Sequence, residues 1–292
     1  MTIWNLGSIN IDIVYAVPHL PLPGETLAAL SLTRGLGGKG ANMSVAAARA
    51  AARVVHLGAV GEDGAWAVER MMEYGVDTRL ITTVDGPTGH AIILVDRAGE
   101  NSIVLHPGAN HLIPEDLLGQ ALSDADTGDY LLLQNETLLQ REAVTMARDL
   151  GLKVAYAAAP FDAEAARNVM SHADLMVLNA VEMEQLRAAS GQDLAAIGVE
   201  TVIVTEGGSG GRIHRAETGW EAEHFAAPKV EAVDTTGAGD TFTGYLVAGL
   251  DRGLPLRQSV ELAARAAALM VTRHGTADVI PDLKDVQATR FG

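Results

Sequence analysis

DYLLLQNETLLQREAVTMARDLGLKVAYAA, residues 129–158, opens and closes on short apolar runs, Tyr130–Leu133 and Lys153–Ala158. Between them Leu138–Leu150 carries apolar residues three and four apart, the period of a helix with one buried face. Two parallel strands need a crossover of a dozen or more residues, so the segment reads as a βαβ unit. The alternation continues through the apolar runs Leu175–Leu178 and Thr201–Thr205, separated by the helical patterns Ala163–Met170 and Ala180–Ala189. An α/β fold follows, with a doubly wound, mostly parallel sheet and helices on both faces.

Toward the N-terminus the rhythm changes. Ile3–Ile9 reads as a buried strand, and helix Lys39–Ala52, strand Val54–Val60 and helix Asp63–Tyr74 continue the large sheet. Ile11–Val17, Thr26–Leu32, His90–Val95 and Ser102–Leu105 read instead as a second set of strands. Pro18, Pro21, Pro23, Gly24, Gly86, Pro87, Gly99, Pro107 and Gly108 bound them as turn residues. They predict a small sheet inserted into the larger fold. Two helices, Ala238–Leu250 and Leu256–Thr272, occupy the last third, and no internal repeat is present.

The 292 residues carry 21 Lys and Arg against 37 Asp and Glu, a formal net charge of −16. Such a surface repels nucleic acid and anionic membrane, so an anionic ligand must be held by local donors working against the global field. Hydrophobic residues make up 48%, enough for a large core and too many for a disordered chain. The lack of cysteine excludes disulfides, thiolate metal sites, iron–sulfur clusters and a cysteine nucleophile, and it suits a reducing cytoplasm. No uncharged apolar run reaches the roughly 18 residues of a membrane span, and no basic segment precedes the first strand. A soluble, unexported protein is expected.

Asp234-Thr235-Thr236-Gly237-Ala238-Gly239-Asp240-Thr241-Phe242 is the most informative motif. Its small-residue turn opens a helix and sets a carboxylate in the first helical turn. Helix N-termini leave N–H groups unpaired and carry partial positive charge, so Gly237, Ala238 and Gly239 can close around an oxyanion or a transferring phosphoryl group. Asp240 beside them is placed to accept a hydroxyl proton as a nucleophile attacks phosphorus. Taken alone, the motif also fits a glycine-rich loop whose aspartate stabilises the helix dipole.

Gly35-Leu36-Gly37-Gly38-Lys39-Gly40-Ala41-Asn42 admits three readings. A Walker A loop fails, because Thr33 stands where its first glycine belongs and Gly40 where a magnesium ligand belongs. The dinucleotide fingerprint fits Gly35, Gly37 and Gly40, with Glu62 or Asp63 beyond, yet the preceding Thr26–Arg34 alternates, unlike a buried parallel strand. In the third reading the amides of Gly37 and Gly38 and the side chains of Lys39 and Asn42 converge on the hydroxyls of a small polyol. Asn10 and Asp12 point to one face of extended backbone, which suits neighbouring hydroxyls or a plain polar turn. Glu136 has the same two readings. Asn179 and Glu182 share a face if a helix starts there, and either hold hydrated magnesium or cap that helix.

Other motifs lead nowhere. Gly207-Gly208-Ser209-Gly210-Gly211 has the spacing of a serine-hydrolase elbow, but the alternating Arg212–Ala216 predicts a strand where the elbow needs a helix. Asp124–Asp129 has its glycine one position early for a calcium loop, and Asn135 replaces the bidentate Glu. The nine histidines show no zinc spacing.

Together these residues resemble the ribokinase, or PfkB, family of carbohydrate kinases from Gly7 to Pro281. Gly7-Ser8-Ile9-Asn10-Ile11-Asp12, Pro23-Gly24-Glu25-Thr26 and Gly37-Gly38-Lys39-Gly40-Ala41-Asn42 are similar to the family's sugar-binding end, and Asp234–Phe242 to its C-terminal signature. The resemblance implies one kinase domain over residues 1–292, with a lid built from strands inserted at about 11–34 and 88–108. It implies ATP-dependent phosphoryl transfer to a primary hydroxyl and a homodimer made through the lid. By it Asp240 is the catalytic base, Gly237, Ala238 and Gly239 form the anion hole, and Asn10, Asp12, Gly38, Lys39, Asn42 and Glu136 contact the sugar. Asn179 and Glu182 match the element for magnesium and phosphate, while Thr205 and Gly207 match the strand end lining the ATP site.

The resemblance further implies a monovalent cation, potassium, on carbonyls of Asp234, Thr236, Arg273 and Gly275. Val279 stands where ribokinase-like sequences can supply a serine, which removes one oxygen and leaves potassium activation open. Tyr245 stands where the family signature has Ala or Gly. D-ribose, giving ribose 5-phosphate, is the expected acceptor: the polar set holds one cation, and 4% aromatic residues offer no evident platform for a nucleobase. A nucleoside kinase or another hexose or keto-sugar kinase is the alternative. A non-catalytic sugar sensor would have no need of Asp240, and an NAD-dependent dehydrogenase would leave it unexplained.

Overall fold

A computed structural model describes residues 1–291. β1 (Thr2–Leu6) lies inside the large sheet, and the chain leaves it at Gly7 to start the small sheet with β2 (Asn10–Ala16). β3 (Ser31–Gly37) returns antiparallel to β2 and runs straight into α1 (Lys39–Arg49). β4 (Arg53–Val60), α2 (Ala65–Glu73) and β5 (Asp77–Thr83) build one flank of the large sheet, and β6 (Gly89–Val95) and β7 (Asn101–His106) complete the small one. After α3 (Asp116–Leu122) come the alternating units β8 (Tyr130–Gln134), α4 (Gln140–Asp149), β9 (Lys153–Ala157), α5 (Ala163–Val169) and β10 (Leu175–Asn179). These are followed by α6 (Ala180–Ser190), α7 (Leu194–Ile197) and β11 (Thr201–Thr205). β12 (Gly211–Arg215) and β13 (Glu223–Phe225) turn back antiparallel, and α8 (Ala238–Asp251), α9 (Leu256–Met270) and α10 (Leu283–Ala288) close the chain.

The large sheet has nine strands in the order β13-β12-β11-β10-β9-β8-β1-β4-β5, parallel from β11 to β5. Successive side chains on a strand point to opposite faces, and both faces are covered here. Tyr130 and Leu132 enter the core under α1, α8 and α9, whereas Leu131 and Leu133 enter the core under α3 to α6. That is why these strands read as continuous apolar runs. In the small sheet, β3-β2-β6-β7, the strand β7 is exposed along its whole length, Ile103, Val104 and Leu105 included. Among the described residues no helix is long and apolar enough to cross a membrane.

Two expectations change. The run Ile3–Ile9 is not one strand, because α1 passes so close that a Cβ on Gly7 would sit 2.6 Å from the Gly40 α-carbon, and the chain turns away there. The strand expected at Thr26–Leu32 lies at Ser31–Gly37, where the register pairs Asn10 with Gly37 and Ala16 with Ser31. Gly35 and Gly37 therefore belong to an antiparallel strand of the small sheet, which removes the dinucleotide fingerprint. Gly207–Ser209 forms a single helical turn before β12, so the serine has no helix behind it.

Candidate active site

The ends of β10 and β11 and the first turns of α1 and α8 converge on one cleft, the usual ligand position in an open α/β sheet. Gly237 caps α8 at φ 77°, a left-handed conformation that glycine adopts without strain, and a Cβ there would press on Met270 Cε at 3.0 Å. One turn in, Asp240 is 6% exposed. Its Oδ2 accepts a hydrogen bond from Asn42 Nδ2 at 2.9 Å, and its Oδ1 lies 3.9 Å from Lys39 Nζ. Asp240 raises the Lys39 ammonium above its ordinary pKa against the opposing effect of burial, with Glu136 and Glu182 adding to the rise. Lys39 is thus charged at neutral pH, and it is the cation of the cleft.

The first turn of α1 is set by a backbone crossing. A Cβ on Gly40 would lie 2.3 Å from Ser8 N and 2.4 Å from Gly7 Cα, so only glycine lets helix and strand end touch. Ser8 Oγ accepts from Gly40 N–H at 3.1 Å and donates to Glu136 Oε2 at 2.5 Å. The Lys39 N–H donates to the same Glu136 oxygen at 3.0 Å. Beneath the crossing, Asn5 Nδ2 donates to Gly40 O and to Ser44 Oγ, and the His56 ring bridges Ser44 Oγ and Gly7 O. Burial pushes the His56 pKa down to about 4, so the ring is neutral, with Nε2–H on the Gly7 carbonyl and Nδ1 accepting from Ser44.

Asn10 and Asp12 leave the crossing on β2 and share one face, as expected. Burial first, then the charges of Glu136 and Asp240, push the Asp12 carboxyl up to about 7. The carboxyl also packs against β3, since a Cβ on Gly37 would strike it at 2.2 Å. Asn179 and Glu182 form a reciprocal cap on α6: Asn179 Oδ1 accepts from Glu182 N–H at 2.9 Å, and Glu182 Oε2 accepts from Asn179 N–H at 2.7 Å. Both still line the cleft. Burial raises the Glu182 carboxyl above its ordinary range, and the Asn179 amide and Lys39 oppose that rise.

A cavity of about 490 Å³ extends from this cleft between Phe225, Val230, Ala264 and Val271. Gly207 and Ala238 line it. The cleft itself, about 200 Å³, is lined by Lys39, Asn179, Glu182, Gly237, Gly239 and Asp240, and Thr205, Thr235 and Gly239 border both spaces. Asn10, Asp12, Gly38, Asn42 and Glu136 line neither. Gly38, at φ 93°, caps α1, while Asn42 and Glu136 reach the cleft through Asp240 and Lys39. Asp234 gathers two loops, accepting from Thr236 N–H at 2.9 Å and Gly275 N–H at 3.2 Å, and these bonds outweigh burial and lower its pKa. Arg273 is exposed, with its amide on Met270 O. Tyr245 fills the core behind α8 and donates to Pro281 O, so the large residue at that position is absorbed by packing.

Sequence reasoning missed Asn5, Ser44, His56 and Asn110. A histidine and an asparagine inside otherwise apolar strand runs were a legible sign of a buried polar network. Asn110, alone after a turn glycine, carried no sign.

Residues 2–283 match the family described as pfkB family carbohydrate kinase. A ribokinase of Haemophilus influenzae is 36% identical over 295 residues, covering 96% of this chain and 95% of its own. A deoxyribokinase of Salmonella typhimurium is 29% identical and covers 97% of each chain. The structure of Arabidopsis thaliana ribokinase complexed with ribose and ATP superposes with a TM-score of 0.86 at 27% identity, covering 98% of this chain and 97% of that one. With the match running over nearly the whole length, this chain belongs to the pfkB family of carbohydrate kinases.

Proposed function

We propose that the chain transfers the γ-phosphoryl group of ATP to the primary hydroxyl of D-ribose, releasing ADP and ribose 5-phosphate. The observation that carries this reading is the seat of Asp240: a buried carboxylate in the first turn of α8, held by Asn42 and Lys39, bordering the cleft that opens into a nucleotide-sized cavity. The larger, apolar cavity suits a purine and its ribose, with Thr205 and Gly207 at the strand end and the phosphates running toward Gly237–Gly239. Asn10, Asp12, Gly38, Lys39, Asn42 and Glu136 take the acceptor sugar on the side of the small sheet, which acts as a lid and excludes water.

Asp240 takes the hydroxyl proton as that oxygen attacks the γ-phosphorus in line, and the bond to the ADP oxygen breaks. Amides of Gly237 and Gly239 serve the charge that develops on the transferring group, whereas the Ala238 N–H expected beside them donates to Thr235 O at 3.2 Å. Among the described residues no cluster of three or more acidic, histidine or cysteine side chains forms a metal cage. One cleft carboxylate, Glu182, beside the Asn179 amide suits magnesium, which keeps most of its water and takes its remaining oxygens from phosphate. When bound, magnesium neutralises phosphate charge. The loops gathered by Asp234 offer carbonyls of Asp234, Thr236, Arg273 and Gly275 to a monovalent cation. The exposed apolar face of β7 supports a homodimer through the lid.

A coupled assay of ADP release over pentoses, 2-deoxyribose, hexoses and nucleosides tests this reading. D-ribose is expected to give the highest kcat/KM, and a nucleoside or hexose in that place would overturn it. The Asp12 carboxyl adds a pH signature. Its ionised form accepts a hydrogen bond from a sugar hydroxyl, so kcat/KM for the sugar should fall as pH drops below about 7, approaching tenfold per unit. Asp12→Asn should lower kcat/KM and flatten that limb. A limb that persists unchanged in the variant would assign the titration elsewhere.

A further inference from the structure

Asn110 lies in the short turn Gly108–His111 that follows the lid strand β7, and it is 2% exposed. Its side chain makes two bonds whose polarity is forced. The Ile9 N–H can only donate, so the Asn110 atom 2.9 Å away is Oδ1. The other end of the carboxamide is therefore the NH₂, and the Asn10 atom it meets at 2.7 Å is Oδ1. With that oxygen fixed against Asn110, the donor end of Asn10 is Nδ2, and among the described residues no hydrogen bond uses it. The amide orientation of Asn10 is thus dictated by a backbone donor two bonds away.

The space around this pair is equally fixed. Gly89 is the β6 neighbour of Asn10, and a Cβ there would lie 2.2 Å from Asn110 Nδ2 and 2.5 Å from Asn10 Oδ1. The turn holding Asn110 is itself tied to the base of the lid, since Ala109 N–H donates to Pro87 O. The polarity of these bonds points to Asn110 as a positioning residue: it holds the Asn10 carboxamide with its donor turned toward the acceptor sugar, and so links the return segment of the lid to sugar recognition. This rests on Asn10 being a sugar contact. Asn10 then serves as a donor to the sugar while Asp12, on the same face, serves as an acceptor.

The test is a double-mutant cycle read as KM for D-ribose across about pH 7–9, because burial raises an introduced carboxyl and only its ionised form lacks the donor. Asn110→Asp keeps an acceptor for Ile9 N–H but removes the donor to Asn10 Oδ1. It should raise the ribose KM about 5–30-fold, with KM for ATP unchanged and kcat within about threefold. In an Asn10→Ala background the same change should add less than about twofold, because the group it positions is gone. Effects that multiply, or an Asn110→Asp enzyme with an unchanged ribose KM, overturn the proposal. An unchanged KM in Asn10→Ala alone overturns the sugar-contact reading beneath it, a separate result. If Asn110→Asp does not fold, Gly89→Ala, whose methyl group wedges into the same pair, carries the same expectations.

Discussion

Replacing Asp240 by Asn should lower kcat by about 10²–10⁴-fold while the KM for the sugar stays within a few-fold of the parent. The carboxamide has the volume of the carboxylate and retains an oxygen for Asn42 Nδ2, so α1 and α8 stay in contact. What is lost is a basic oxygen and a negative charge beside Lys39. A residue that serves the transition state and not the resting complex shows this pattern, with kcat and kcat/KM falling together. Coupled ADP release gives both constants, and equilibrium ribose binding to the variant shows that the site persists. Turnover at the parental rate would remove Asp240 as the base.

Gly40→Ala should reduce both stability and activity, although alanine is the better helix former by about 1 kcal/mol. The added methyl group meets Ser8 N at 2.3 Å, Gly7 Cα at 2.4 Å and Gly7 C at 2.5 Å, all of them backbone atoms with no rotamer to yield. Helix α1 and the end of β1 must separate, and overpacking of this kind costs about 1–3 kcal/mol or more. The separation also moves the Lys39 N–H and Asn42, which reach Glu136 and Asp240. A misplacement of about 1 Å can cost about 10²-fold in rate, so kcat/KM should fall by that order. Urea unfolding and steady-state kinetics on the soluble variant check the two effects. A protein that is more stable and fully active would mean that the crossing tolerates a side chain and that glycine there serves only the helix start.

The two expected results differ in how far ahead they could be read. Asp240 was legible because a small-residue turn opening a helix with an early carboxylate is a local pattern, and local patterns survive in sequence. Asn179 and Glu182 were legible as a pair for the same reason. There the structure realises the capping alternative while leaving both residues on the cleft. The Gly40 crossing was visible only as one glycine among several. Its meaning depends on Gly7, thirty-odd residues earlier, lying against it. Likewise, the strand expected at Thr26–Leu32 lies at Ser31–Gly37, where the pairing with β2 and not the local pattern sets its bounds.

Sequence alone therefore determined the class of sheet, its helical cover and the small-residue turn that opens α8 with an early carboxylate, since each is written in neighbours a few residues apart and in a two-faced apolar rhythm. Tertiary structure alone decided how distant polar groups meet. Asn110 donates to Asn10 from 100 residues away, His56 donates to Gly7 from 49 away, and Asn42 meets Asp240 across 198. The reason is physical: a buried donor must find its acceptor wherever folding brings one, and chain separation leaves no trace of that choice in local composition.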